Sequence, residues 1–424
     1  MGAMVAQVPQ NRLREDRDFR RFWTARVVSL AGSSFTYVAL PVLVYRRTGS
    51  PLLTGLVAAF EAIPYLLLGL VAGALADRWD RRRVMVAADL VSAVALGSLP
   101  VASWLGALTI PHILAAAFLS PTVFVFFDAA NFGAIPALVG RERIPAANSA
   151  IWGAGTVVEI AFPVLAGALL AVVAATTLIG FDSLSFVASA LLIRAIGRPL
   201  SDPDRASVPL RARSLASEVR EGLRFLVSHA NVRTMTIVGA CQSLAGGAFV
   251  GQMVVWADRA LGVRGGDVRL GVLFAAWGLG ALAASTVMPK LIRRYGAPRV
   301  TLMALPASAV LATATALSPN WIDGALLLLA WGTAYMLVVM SSITYRMQET
   351  PEPLMSRVNT AGRMLSFGLG WPLGSLIGGL VAQARGPVAG MLSGAAVAAV
   401  GAVVAWTSPL RTSRHVAVQR HAQT

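Results

Sequence analysis

About twelve apolar runs, each roughly twenty residues long, follow one another along this chain with only short charged or Pro/Gly-bearing breaks between them. No other feature limits its fold as tightly. The runs start near Phe22, Leu53, Val84, Pro111, Ala147, Thr177, Val232, Leu270, Val300, Trp321, Thr360 and Val388. A run of that length matches the hydrocarbon thickness of a bilayer, where a helix satisfies every backbone polar group internally. With 56% hydrophobic and only 13% charged residues in 424, the chain reads as a polytopic, all-α membrane protein rather than two or three soluble domains.

The charges then set an orientation. With the N-terminus inside, the basic residues fall in cytoplasmic loops or at inner helix ends, except for Arg46, Arg47, Arg259, Arg264, Arg269 and Arg385. The net charge of +16 is therefore a topology signal. It does not mark a nucleic-acid partner, because these arginines sit in short turns between apolar helices and not on a soluble basic face with stacking aromatics. Residues 1–21 carry Arg12, Arg14, Glu15, Asp16, Arg17, Asp18, Arg20 and Arg21, and read as a cytoplasmic leader to a retained helix, not a cleaved signal. Both termini are expected in the cytoplasm of a multi-pass protein of the cell membrane.

Several chemistries drop out. One cysteine, Cys241, makes neither a disulfide framework nor a thiolate cluster, and His112, His229, His415 and His421 lack metal-ligand spacing. The sole lysine, Lys290, stands between Pro289 and Leu291, so there is no Gly-Lys-Ser/Thr phosphate loop. No nucleophile and base pair up among the spans. The chain is expected to be no enzyme, to need no cofactor or metal, and to draw any uphill work from an ion gradient.

The longest polar interruption divides the chain. Residues 22–196 form an N-terminal six-helix bundle and 232–408 a C-terminal one, with a linker at 197–231 and a cytoplasmic tail at 409–424. Within the linker, Leu215, Val219, Leu223 and Leu226 share one helical face while Glu218, Arg220, Glu221 and Arg224 share the other. That predicts an amphipathic helix lying on the inner leaflet or the bundle. The halves also resemble each other. Ile135-Pro136-Ala137-Leu138 through Ala147-Asn148 parallels Gln348-Glu349-Thr350-Pro351 through Val358-Asn359, and Pro163 and Pro372 follow at matching places. Parallel repeats of this kind imply a site between the halves.

Between the second and third spans stands Gly73-Ala74-Leu75-Ala76-Asp77-Arg78-Trp79-Asp80-Arg81-Arg82-Arg83. It resembles the signature loop of the major facilitator superfamily, Gly-x-Leu-x-Asp-Arg-x-Gly-Arg-Arg, with Asp80 in place of the second glycine. The resemblance implies a fold of twelve transmembrane helices in two pseudo-symmetric six-helix bundles and alternating access between them. It also implies a cytoplasmic gate built on Asp77 and Arg81, with Gly73, Arg78 and Arg82 around them. The second-half counterpart, Pro289-Lys290-Leu291-Ile292-Arg293-Arg294, lacks the aspartate. Arg20-Arg21-Phe22-Trp23, Ala39-Leu40-Pro41, Thr48-Gly49-Ser50-Pro51, Asp128-Ala129-Ala130-Asn131 and Glu221-Gly222-Leu223-Arg224-Phe225 resemble the drug-exporter branch that includes enterobactin-exporter-like and macrolide-efflux-like proteins. Of the antiporter segment Gly-Pro-x-x-Gly-Gly, the stretch Phe162-Pro163-Val164-Leu165-Ala166-Gly167 keeps a part.

Glu61, Asp89, Asp128, Glu159 and Asp182 lie within spans, all in the first half. At roughly 2.5 to 3.5 kcal/mol each, such acids do not face lipid; they need a cavity or partners. A carboxyl in such a cavity can load and release a proton, and Glu61 and Glu159, near mid-span, are the leading candidates with Asp128 beside them. Asp89 reads as a counter-charge to the arginine-rich turn, and Asp182 as a cap or tether. Arg26 opens a polar stripe with Ser33 and Tyr37 in the first span, while Trp152, Trp331, Tyr335, Met336, Phe367 and Trp371 offer apolar recognition.

Together these features predict a monomeric secondary transporter that exports a mainly apolar small molecule (a drug, antibiotic or siderophore-like metabolite) by proton antiport. Its partners would be that substrate, protons and membrane lipid. Proton-coupled or facilitative uptake is the alternative, and a non-transporting sensor or membrane enzyme the remote ones.

Overall fold

The computed structural model describes residues 13, 15–76, 78–201, 212–264, 267–351 and 354–412. Asp77, most of the N-terminal leader, residues 202–211 of the linker and most of the C-terminal tail lie outside the described residues. Six helices precede the linker: α1 (Arg17–Thr48), α2 (Pro51–Ala76), α3 (Arg81–Trp104), α4 (Ile110–Val139), α5 (Ile144–Leu169) and α6 (Ala175–Arg194). The linker contributes α7 (Ala212–Ser228). Then come α8 (Ala230–Leu261), α9 (Val268–Tyr295), α10 (Ala297–Ala316), α11 (Trp321–Glu349), α12 (Met355–Arg363), a π-helical stretch (Met364–Gly370), α13 (Trp371–Arg385) and α14 (Pro387–Thr407). Twelve of these segments are long and apolar enough to cross a membrane, α12 through α13 counting as one.

Polar residues cap several helices, and at α1 and α3 the cap sets the start a few residues before the apolar run. Asp16 accepts hydrogen bonds from the backbone N–H groups of Asp18 and Phe19, and Asn320 from those of Ile322 and Asp323. Asp80, the departure from the family loop, is the N-cap of α3 and accepts from the Arg83 N–H at 2.8 Å. A carboxylate there satisfies a donor that a glycine would leave bare. Pro372 sits in the first turn of α13, just after the π-helical stretch. Its ring cannot donate and would press on the preceding turn, and wider π turns accommodate it.

Two compact units result. The first comprises Met1–Leu53, Ile63–Arg211 and Val263–Ala275; the second comprises Thr54–Ala62, Ala212–Gly262 and Ala276–Thr424. Each thus takes in a short segment from the other sequence half. Within the second unit, a Cβ on Gly55 would stand 2.6 Å from the Ser375 carbonyl oxygen; within the first, one on Gly271 would stand 2.4 Å from the Pro163 carbonyl oxygen. These contacts need the missing side chains. Helix α7 belongs to the second unit, where Arg357 pairs with Glu221 and the buried Phe225 and Leu226 join Val232, Met235, Tyr345 and Val358.

Candidate functional site

In the first unit, α1, α3, α4 and α6 enclose a polar network. Arg26 on α1 places its guanidinium 5.0 Å from the centroid of the Phe127 ring and 5.9 Å from that of Phe124, and interacts electrostatically with Asp128 of α4 and Asp89 of α3. Further along α1, the Thr36 hydroxyl donates to Asp182 of α6 at 2.5 Å, and Ser185 donates to the other carboxylate oxygen at 3.2 Å; Ser33 also hydrogen-bonds Asp182. Gly32 is what lets α6 approach: a Cβ there would lie 2.1 Å from Ser185 Oγ and 2.5 Å from Asp182 Oδ1. Asp89 and Asp182 are 2% and 1% exposed, so both are interior groups: Asp89 is a counter-charge to Arg26 and not to the arginine-rich turn, and Asp182 ties α6 to α1.

This network is not closed. Asp89 Oδ2 and Asn131 Oδ1 are buried without a hydrogen-bond partner at ordinary distance among the described residues, while Ser189 interacts with the Asp89 carboxylate. Buried polar groups in a purely structural network are satisfied almost without exception.

The residues of the expected gate are tied down within the same unit. The buried Arg81 donates to the carbonyl oxygens of Gly133, at 2.8 Å, and Leu200, at 3.3 Å, while its backbone N–H donates to Ser201 Oγ. Glycine at 133 leaves room for the guanidinium, which a Cβ would meet at 2.4 Å. Arg82 donates to the Arg198 carbonyl oxygen. Gly73 falls in α2, Arg78 follows it and is half-buried, and Asp77 is not described.

Glu61 is half-buried and Glu159 exposed, and no hydrogen bond or ion pair from the described residues reaches either. They do not share a unit: Glu61 lies in the segment belonging to the second, Glu159 in the first. Tyr37 meets Phe274 edge-on at 5.6 Å within the first unit, and Trp152 is 65% exposed. In the second unit, Trp331 and Tyr335 join Phe249 and Trp277 in one aromatic cluster, with Trp277 4.5 Å from Trp331 and 4.8 Å from Tyr335. Trp331 is fully buried and donates from Nε1 to Ser308 Oγ at 3.0 Å. Met336 is half-buried, and Phe367 packs on Trp371 at 5.7 Å.

The structure thus joins Arg26, Ser33 and Asp128 into one site with Asp89 and Asp182, and separately joins Trp331 with Tyr335. Sequence reading passed over Thr36 and Trp277. Thr36 continues the three-to-four-residue spacing of the α1 stripe, which was the available signal; Trp277 stood in an apolar run with nothing to single it out. It also left Arg346 among the loop arginines, although this side chain is 2% exposed inside the second unit.

Twelve helices long and apolar enough to cross a membrane, with charge buried among them, define a polytopic membrane protein, and its family places it among the membrane transporters. Solved structures agree on the fold. The nucleoside transporter NupG superposes with a TM-score of 0.72 at 11% identity, covering 92% of this chain and 97% of that one. A bacterial homologue of the lysosomal transporter Spinster, inward-facing and occupied, gives 0.73 at 12% identity, covering 92% and 95%. The chain belongs to the family described as transmembrane secretion effector, which matches residues 11–423. Similar proteins include the multidrug efflux pump Tap of Mycolicibacterium fortuitum, 28% identical over 85% of this chain and 88% of that protein. The enterobactin exporter EntS of Citrobacter koseri is 24% identical over 90% of each.

Proposed function

We propose that this transporter exports a mainly apolar small molecule in exchange for protons, by alternating access, with both termini in the cytoplasm and the single chain as the working unit. The names of its relatives, an efflux pump and a siderophore exporter, support the outward direction. The observation that carries proton coupling is the open acid–hydroxyl network of the first unit. Asp89 Oδ2 and Asn131 Oδ1 are both acceptors, and both are buried without a donor at ordinary distance among the described residues. A proton on Asp89 would turn one of them into a donor, so the network is built to gain and lose one. Asp128 and the Arg26 guanidinium hold the opposing charge, while Glu61 and Glu159 offer entry and exit carboxylates. Asp77 with Arg78, Arg81 and Arg82 would close the cytoplasmic side.

The test is uptake into inverted membrane vesicles of a panel including lipophilic cations, macrolides and a siderophore, with and without a protonophore. Accumulation that vanishes when the gradient collapses is expected; accumulation indifferent to it would replace antiport by facilitation. Asp182→Asn keeps the shape but removes the charge that Thr36 and Ser185 hold, and is expected to lower gradient-driven accumulation at least about tenfold at normal membrane abundance. Asp77→Asn is expected to impair transport in the same way, and full activity in it would remove the gate.

A further inference from the structure

We propose that Arg346, Ser342 and Asn359 in the second unit form a binding site for an acidic group, a carboxylate or phosphate, on the transported molecule. This rests on the reading of the chain as a small-molecule transporter. The substrate would then be amphipathic, with an apolar body and one negative end.

Arg346 lies near the C-terminal end of α11 and is 2% exposed. Its Nη2 donates to Asn359 Oδ1 at 3.1 Å, a neutral acceptor, while its Nε is buried with no partner. Among the described residues no carboxylate forms a salt bridge with it. The nearest acid along the helix, Glu349, is exposed and engages Tyr345. A buried guanidinium in a membrane-spanning segment without a counter-charge is costly enough to need a functional reason.

The surroundings are shaped to it. A Cβ on Gly362 would stand 2.3 Å from Nη1 and 2.5 Å from Cζ, so glycine there makes room for the guanidinium plane. One turn earlier on α11, Ser342 Oγ is also buried with no partner, giving a second unused donor on the same face. Gly239 of α8 lets that helix pack closely on Ser342 and Ser366, where a Cβ would lie 3.6 Å from Ser342 Cβ and 3.2 Å from Ser366 Oγ. The π-helical stretch starts at Met364, two residues beyond Gly362, and such turns give a helix the slack to shift at a binding site. Arg81 shows how a buried guanidinium is otherwise satisfied in this chain, shared between two carbonyl oxygens. A planar fork with a free Nε edge and a neighbouring hydroxyl matches the two oxygens of a carboxylate or phosphate.

The experiment is equilibrium binding to the full chain in phosphatidylcholine nanodiscs, using 2-naphthoate and its uncharged match 2-naphthamide as probes. The acid is expected to bind at least about tenfold more tightly than the amide, and Arg346→Gln to bring the acid down to the amide's level without changing the amide. Ser342→Ala is expected to weaken the acid about threefold. No preference for the acid, including no binding of either probe, overturns the proposal, as does a preference that survives Arg346→Gln. Should that variant fail to fold, Arg346→Lys decides: loss of the fork is expected to weaken the acid at least about threefold, and an unchanged affinity overturns the site. Displacement of naphthoate by equimolar inorganic phosphate would assign the site to free anions, and its loss on adding phosphatidylglycerol to the nanodiscs would assign it to lipid headgroups; either overturns the substrate reading. Because no gradient is applied, collapse of the antiport reading leaves this result untouched.

Discussion

Helices α1 and α6 of the first unit and α8 and α13 of the second both close over glycine, yet what fills the cleared space differs. At Gly32 the neighbours are side-chain atoms, Ser185 Oγ, Asp182 Oδ1 and Ser185 Cβ. At Gly374 and Gly247 they are backbone: a Cβ would lie 1.9 Å from the Leu244 carbonyl oxygen in one case and 2.1 Å from that of Trp371 in the other. In a membrane, where helix association rests on close packing and not on burial from water, both uses are open to a small residue. One clears room for a polar group that can reorient; the other locks two helix backbones together.

The largest expected effect breaks the locked pair. Gly374→Val should leave little folded protein in the membrane, an abundance loss of more than about tenfold, because backbone cannot move aside as a rotamer can. Gly32→Ala should cost less abundance than Gly374→Val, since Ser185 Oγ and Asp182 can rotate and only the Ser185 Cβ, 2.7 Å away, requires a small helix shift, and should reduce transport by disturbing the Asp182 cradle. Immunodetection in isolated membranes with a transport assay checks both. Equal abundance of the two variants would dissolve the distinction.

The buried arginines sharpen the same contrast. Arg26 is compensated by Asp128 and Asp89, so Arg26→Gln strands two carboxylates and should cost on the order of 3 kcal/mol. Arg346→Gln removes a charge that has only an amide oxygen for company, and should leave stability unchanged or slightly higher. Unfolding of the purified protein in detergent compares the two. A larger loss from Arg346→Gln would mean that its charge is compensated after all.

The same contrast marks how far the sequence could be read. Hydropathy places all twelve spans because bilayer thickness sets their length, and the Asp77 to Arg83 loop identifies the family by spacing. Helix ends shift by a few residues because caps such as Asp16 and Asp80 lie outside the apolar runs. Asp89 and Asp182 were visible as acids in spans, but their burial and their hydroxyl partners depend on how α1, α3 and α6 pack, which no local pattern specifies. Arg346 was hidden for a related reason. It lies close to the polar break around Gln348, where an arginine ordinarily snorkels to the surface, and only the fold of α12 over it turns it inward.

The smallest effect belongs to a pair outside the spans. Asp267 sits in the loop before α9, where Arg269 donates to it from Nε at 2.7 Å and from its backbone N–H at 2.9 Å. The side-chain hydrogen bond from Arg269 holds this carboxyl below its ordinary range. A carboxyl lowered on folding adds stability that is fully present above the unfolded value, about 3.9, and is lost as pH falls through the folded one. Asp267→Asn should therefore be nearly silent at neutral pH, moving the unfolding midpoint by about 1 °C or less because the pair is solvent-screened, and its effect should shrink further as pH falls below the unfolded value. A shift of several degrees at neutral pH would show that this turn contributes to stability on the scale of Arg26, and would remove the ranking of interior over surface charge on which the comparison of the two units depends.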